Sequence, residues 1–473
     1  MTAHRKYPPG PNDYAFGTRS MARMRRDILG YFAELKQNYG DAVSFVTGGY
    51  RLYIFFHPDQ IHEVLVTRAK STTRLPRVMQ TIAQWNGDSL LIVEGEKWIR
   101  QRRMVQQAFQ PRRIQSYGDA MAACIRELAS RWDGDLNGKA FVDIEIDKQM
   151  TQLTLAIICQ TMFSKRVDEF SSDIARAVAV LSDIAFHEMQ AFVRLPNWLP
   201  TARNRDKRWA IALLDRIVWD LIRQRRSTPT DHGDLLSMLL STVDDQANNQ
   251  GMSDRQVRDE AMTLMLAGHD TSAAALDWYW YNLASHPDVV RHCQEEIDRV
   301  TGGDPPTFDH IAQLQYIQAT IKESLRLFPP AVGVFLRQNT ADLEIGGYHV
   351  HKGSLISLSS YVVQRDPRWF PNPESFQPDR FLDGRADQLP DGAYFPFGAG
   401  PRVCIGQSFA MTEFLLAAAI LLQKFDVSLP PDTPRPIPHV TLAMRPRDPL
   451  VLRWTRRAVA ESKASTTATL HNP

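Results

Sequence analysis

The stretch Phe395-Pro396-Phe397-Gly398-Ala399-Gly400-Pro401-Arg402-Val403-Cys404-Ile405-Gly406 decides how this chain is read. It is a glycine-rich loop that ends on a cysteine, and an apolar helical pattern follows from Gly406 to Phe425. Gly398, Gly400 and Gly406 can take backbone angles closed to other residues, so the loop can wrap the sulfur and aim amide N–H groups at it. The helix starting near Gly406 adds the positive end of its dipole, and both effects favour a thiolate. A soft, sheltered, anionic sulfur is a metal ligand. Cys124, Cys159 and Cys293 are read as small buried hydrophobes.

Within the loop, Phe397, Gly400, Arg402, Cys404 and Gly406 fall at the spacing Phe-x-x-Gly-x-Arg-x-Cys-x-Gly. This resembles the haem-binding loop of the cytochromes P450, where the cysteine thiolate is the axial ligand of haem iron and pushes electron density toward dioxygen. The resemblance implies a mainly α, single-domain fold with a small β region near the amino terminus. Haem b would lie between a long helix and the Cys404 loop. It covers nearly the whole chain: an extended segment over 1–18, the haem domain over 19–457, and a tail over 458–473 that is rich in Ser, Thr and Ala and expected to be disordered.

Composition sets outer limits. Of 473 residues, 44% are hydrophobic and 23% charged, which suits a globular protein with a large core. A net charge of +2 is too small to argue for nucleic acid. The four cysteines include no Cys-x-x-Cys pair, so neither a zinc site nor a disulfide framework is expected, and a reducing cytoplasm fits. No apolar run approaches the roughly 20 residues that span a bilayer, and Met1 to Tyr7 is no signal peptide. Pro8-Pro9-Gly10-Pro11 resembles the hinge behind the anchor of membrane-bound family members. With no anchor before it, a soluble monomer is expected.

Toward the amino terminus, apolar spacing predicts one amphipathic helix over Arg19 to Tyr39, then a hairpin from Ala42–Val46 to Leu52–Phe56 across Gly48-Gly49. Asp59 is expected to cap the next helix, and Ser71 to Ile92, with Pro76 and Gly87, reads as a long loop. In the helix Glu94 to Phe109, Trp98 and Arg102 lie four apart on one face. By the resemblance they donate to a haem propionate, and Arg337 and Arg402 pair with the propionates too. Helices continue from Ile114 to Arg226. Phe186 to Arg203, with Phe192, Leu195, Trp198 and Leu199, is either a lid over an apolar entrance or a surface segment packed on the body.

The second motif lies in a long helix from about Ser253 to Ser285, whose centre reads Met265-Leu266-Ala267-Gly268-His269-Asp270-Thr271-Ser272. Glycine in a helix interior costs about 1 kcal/mol against alanine, so Gly268 needs a reason: a flat ligand against the backbone, or a helix that opens locally. Ala-Gly-x-Asp-Thr-Ser is similar to the oxygen-binding kink of the family. By that resemblance Thr271 would hydrogen-bond on the oxygen side of the haem, and Asp270 would relay protons from solvent. A Thr271 hydroxyl bonded back to its own helix is the plain alternative. Glu323 and Arg326 form Glu-x-x-Arg in a helix from Gln313 to Leu327; with Arg380 they would make the family's buried charge network. Phe335 to Ser359 alternates and predicts a small sheet.

The implied activity is monooxygenation of a hydrophobic molecule of fatty-acid, terpenoid or steroid size, using O2 and electrons from a separate partner. Pocket walls are expected at Met79, Leu90, Leu91, Phe186, Phe192, Leu264, Ala267, Ala331, Val332, Val334, Phe335, Thr441 and Leu442, with Arg77 and Arg194 as candidate carboxylate anchors. Lys97, Arg100, Arg103, Arg112 and Arg113 would face an acidic ferredoxin or flavodoxin, served by its reductase, or form an ordinary solvated surface. Two other readings stand beside this one. The first is a hydrogen-peroxide-dependent peroxygenase, which the intact Asp270–Thr271 pair disfavours. The second is a non-catalytic haem-based ligand carrier or sensor.

Overall fold

The computed structural model describes residues 7–13, 17–164, 171–190, 196–228, 232–244 and 250–458. At its centre runs the helix Asp254–Ala284, buried on nearly every side from Ala273 onward. Ser253 caps it by accepting from Gln256 N. So apolar a helix needs neighbours around its circumference. Ile146–Phe163 packs along it, joined by Ala202–Ser227, Gln315–Leu327 and the helix after the cysteine, Gln407–Lys424. Trp278 stacks on Phe328 with ring centres 4.0 Å apart, and Trp280 meets Trp454 edge-on. This helical core is one buried cluster, and a second lies against a five-stranded sheet.

That sheet orders its strands Ala42–Thr47, Tyr50–Phe55, Leu355–Leu358, Arg337–Asn339 and Thr72–Arg74. The first two form the expected hairpin, with Ala42 opposite Phe55. Gly48 and Gly49 take φ of 56° and 84° in its two-residue turn, angles that glycine reaches without strain. At the other edge Arg74 and Arg337 are register partners, which matters for the site.

Several expected elements differ. The single helix over 19–39 is two, Thr18–Arg26 and Ile28–Tyr39, because Asp27 leaves helical angles and its carboxylate caps the second by accepting from Gly30 N. His57, not Asp59, caps Pro58–His62. The loop expected over 71–92 contains the strand Thr72–Arg74 and a helix, Pro76–Asn86, which starts on proline and stops at Gly87. A Cβ at Gly87 would meet the Asp259 carboxylate at 2.2 Å, and Met79, Ile82 and Trp85 bury the helix's inner face. Phe192, Arg194 and Leu195, in the segment read as a lid, lie outside the described residues, as does most of the tail placed at 458–473. Among the described residues no helix is long and apolar enough to cross a membrane.

Candidate active site

The cysteine loop is shaped by two glycines. Gly398 and Gly400 take φ of 74° and 70°, and a Cβ at Gly400 would lie 2.1 Å from the Leu65 carbonyl oxygen. Gly406 needs no such freedom, with φ at −86°. Its expected part in wrapping the sulfur reduces to its N–H, which bonds the Cys404 thiol. Cys404 N donates to Phe397 O at 2.9 Å and closes the loop. The cysteine is open on one side yet set deep in the protein, so burial pushes its thiol pKa up against the pull of the Gly406 N–H and Arg102. The net lowering expected from the loop is thereby corrected: the donors are present, and burial outweighs them. A metal cation on the sulfur reverses that balance. Burial pushes Cys159 up to about 12 and Cys293 well up, so both are inert neutral thiols.

Cations gather beside this loop. Arg102, from the helix Gly95–Gln106, donates Nη1 to Val403 O at 2.9 Å. Arg402 lies over the Trp98 ring, 4.2 Å from its centre, and bonds the Glu94 carboxylate. Arg74 donates Nε to the same carboxylate at 2.9 Å and Nη2 to Val93 O at 2.7 Å. Arg337, opposite Arg74 in the sheet, is buried, and its Nε has no partner among the described residues. Burial and the Arg74 charge push Arg337 down to about 10 and Arg402 down to about 9. One carboxylate cannot neutralise three crowded guanidinium groups, and an orphaned buried N–H asks for an acceptor. The surroundings of Cys404 therefore fit a ligand that carries two carboxylates and a metal, as haem b does. Arg74 has no sequence signal of its own; only the sheet register brings it here.

On the long helix, Ala267 and Thr271 sit one turn apart and are exposed amid mostly buried turns, so one face opens onto space. Thr271 Oγ1 donates to Ala267 O at 2.7 Å, the hydroxyl bonded back to its own helix. The helix continues through Gly268, so the expected local opening is absent. Gly268 has another reason: a Cβ there would lie 2.9 Å from Ile158 Cδ1 of Ile146–Phe163. Close helix packing is thus a second reason for the glycine, beside the approach of a flat ligand. His269 is buried against Thr154 Oγ1 at 2.9 Å, and burial pushes it down to about 4, so it is neutral near pH 7. Asp270 is ion-paired: Arg445, from the strand Met444–Pro446, donates Nη2 to its Oδ1 at 2.8 Å. Ser272 bonds Glu413 of the helix after the cysteine, and burial pushes Glu413 up to about 8. Arg445 and Glu413 lie in no motif, and Ser272, the last residue of Ala-Gly-x-Asp-Thr-Ser, gives no sign of its distant partner.

The same helix stitches down part of the expected pocket wall. Asp259 accepts from Asp88 N at 2.9 Å, Glu260 from Leu90 N at 3.0 Å, and Thr263 Oγ1 and Ser89 Oγ bond at 2.6 Å. Met79 and Leu90 are buried; Leu91, Phe186, Leu264, Val332, Val334 and Thr441 are half-buried; Ala267, Ala331, Phe335 and Leu442 are exposed, as is Arg77. Glu323 is wholly buried and accepts from Arg326 Nε at 2.7 Å and Nη2 at 2.8 Å, from Arg380 Nε at 3.3 Å, and from Gln377 N at 2.8 Å. On the basic face, Lys97 pairs with Asp88 at 2.6 Å, and Arg100 and Arg103 share the buried Asp244 at 3.1 and 3.0 Å. Much of that charge is already matched.

With fold and geometry in place, comparison with known proteins gives the class. The chain belongs to the cytochrome P450 family, whose profile matches residues 8–453. It is 35% identical over 430 residues to a cyclooctat-9-en-7-ol 5-monooxygenase of Streptomyces melanosporofaciens, covering 89% of this chain and 88% of that one. A pentalenene oxygenase of Streptomyces avermitilis is 32% identical over 439 residues, 92% of this chain and 94% of that one. The crystal structure of the cytochrome P450DA haem domain matches with a TM-score of 0.85 at 26% identity, covering 95% of this chain and 97% of that one. The protein is an oxygen-incorporating oxidoreductase with haem b as its cofactor.

Proposed function

We propose that this enzyme hydroxylates or epoxidises a hydrophobic molecule of terpenoid size. Two relatives support this reading, since their names specify oxidation of cyclooctat-9-en-7-ol and of pentalenene. The observation that carries it is the make-up of the positions expected to wall the pocket, which are apolar at every place but Thr441. When bound, haem supplies the activation of dioxygen. The chain does the rest. Cys404 Sγ holds the iron, while Trp98, Arg102, Arg337 and Arg402, with Arg74, hold the propionates. Thr271 turns its hydroxyl from Ala267 O toward the open face, and Asp270 exchanges Arg445 for a proton route from solvent. Glu323, Arg326 and Arg380 fix the segment before the cysteine loop.

Electrons come from a separate protein, an acidic ferredoxin or flavodoxin, docking where Arg112 is exposed. Arg112→Glu should slow reduction by an amount that shrinks as salt rises. Charge reversal at Arg100 and Arg103 is a poorer test, because it also strands the buried Asp244. The substrate class is tested by titrating the oxidised, haem-loaded protein with cyclooctat-9-en-7-ol, pentalenene and a long-chain fatty acid, following the iron spin state. A shift with the terpenoids is expected. A shift with the fatty acid alone would overturn the terpenoid reading and turn attention to Arg77 and Arg194.

A further inference from the structure

The long helix carries a second acid that the reaction above leaves unused. Asp277 lies about two turns beyond Asp270. It is wholly buried, receives Arg445 Nη1 on Oδ2 at 3.0 Å, and its Oδ1 has no partner among the described residues. The other arm of the same guanidinium holds Asp270, on the carboxylate at 2.8 Å and on the backbone carbonyl at 3.2 Å. Asp147, in the first turn of Ile146–Phe163, completes the group. Its charge acts on both Arg445 and Asp277, and its own Oδ1 is likewise unpartnered. His269, beside Asp270, is neutral. Two carboxylates thus share one guanidinium, and the charge of a third acts on it. The strand that supplies the guanidinium is anchored on both sides: Trp278 Nε1 donates to Met444 O at 2.9 Å, and Met444 N donates to Pro330 O at 2.8 Å. Arg445 has a fixed root and rival partners at its tip.

We propose that Asp277 is a positioning residue for proton delivery: by competing for Arg445 it sets how firmly Asp270 is held, and so how readily Asp270 turns to serve Thr271. The inference rests on the proton-relay reading of Asp270. With Asp277 protonated, Arg445 serves Asp270 as a firm ion pair and keeps it occupied. With Asp277 ionised, the guanidinium is shared between two carboxylates, so Asp270 is held less firmly and gains freedom to turn. Burial pushes Asp277 up to about 7; Arg445 pulls it down, and the charges of Asp147 and Asp270 push it further up. Both states are therefore populated near neutral pH, and delivery improves as pH rises through that region.

The experiment uses the haem-loaded full chain, a surrogate ferredoxin with its reductase, and cyclooctat-9-en-7-ol as the probe. Each productive turnover consumes one dioxygen, two electrons and two protons, places one oxygen atom in the substrate and releases the other as water. Failed delivery releases the dioxygen, with the same electrons and protons, as hydrogen peroxide. In the unaltered protein the peroxide share should fall several-fold as pH rises through neutrality. Asp277→Asn should stay at the high-peroxide level throughout, and Asp277→Glu should restore the slope. Independently of turnover, the infrared band of a protonated carboxyl should titrate near neutrality in the unaltered protein and be missing from Asp277→Asn. An unchanged pH profile in Asp277→Asn, or no such band lost, overturns the inference. Asp270→Asn separates it from its premise. If that variant makes no extra peroxide, the relay reading fails; if it does while Asp277→Asn follows the unaltered profile, the Asp277 inference alone fails.

Discussion

Around Glu94 three guanidinium groups crowd one carboxylate, two of them bonded to it and Arg337 acting through its charge, whereas around Arg445 three carboxylates crowd one guanidinium, Asp270 and Asp277 bonded to it and Asp147 acting through its charge. The first cluster lies beside the thiol, the second against the helix that carries Asp270 and Thr271. A third region is the control: at Glu323 the buried acid takes Arg326, Arg380 and the Gln377 N–H on both oxygens, and the other Arg326 N–H groups go to the Gln364, Pro373 and Ser375 carbonyls, so every side-chain polar atom of Glu323 and Arg326 is partnered. An uncompensated buried charge costs several kcal/mol, so stability alone argues against either imbalance. The difference teaches that each imbalance falls where a role is proposed above, one in holding haem and the other in proton delivery. Cation excess suits a ligand bearing two carboxylates, and acid excess suits the holding and passing of protons.

The largest effect is expected where every buried polar atom is partnered. Glu323→Ala strands two arginines at once and should destabilise the haem-free protein by about 3–5 kcal/mol, read from its urea unfolding midpoint. A loss below about 1 kcal/mol would break the contrast between matched and unmatched clusters. Next comes Asp277→Asn, which relieves acid excess. A carboxyl pushed up to about 7 adds stability at low pH that is lost as pH rises through that value. The substitution should therefore stabilise the fold above pH 7, by something on the order of 2–4 kcal/mol, and change little under acid conditions. Stabilisation at acid pH instead would reverse the sign of the argument.

On the cation side, Arg337→Met removes a charge-assisted bond worth about 1.5–3 kcal/mol once haem is present. Haem transfer to an acceptor protein should speed roughly 10- to 100-fold, while the haem-free fold loses nothing. Equal loss in both forms would mean that Arg337 is merely structural. Smallest is Gly268→Ala, which gains about 1 kcal/mol of helix propensity but presses on Ile158. A net loss of about 1 kcal/mol is expected, recovered when Ile158→Val is added; no recovery would return Gly268 to the ligand-approach explanation.

What the sequence made legible was local. The Cys404 loop carries its chemistry in adjacent residues, and the long helix announces itself by apolar content and a serine cap. The helix Pro76–Asn86 was open to reading from Pro76 and Gly87, but its apolar face is only Met79, Ile82 and Trp85, too short a pattern to outweigh the breakers. The site's electrostatics were illegible for a different reason. Arg74 meets Arg337 only through strand register, and Arg445 meets Asp270 and Asp277 only because Trp278 docks the strand bearing it. Such pairs join distant residues, and in each the arginine that completes the pair, Arg74 or Arg445, sits in no motif. Gly268 shows the limit of motif reading as well: the residue is where the family pattern puts it, and the contact that a Cβ there would press on belongs to Ile158 on another helix.

The central claim is that Cys404, set among those donors, is the iron ligand. It is tested most directly by the carbon monoxide spectrum of the reduced, haem-loaded protein and of Cys404→Ala. The unaltered protein should give the thiolate-type spectrum and Cys404→Ala should lose it, whereas Cys159→Ala and Cys293→Ala, at buried neutral thiols, keep it. A thiolate-type spectrum that survives in Cys404→Ala would contradict the account.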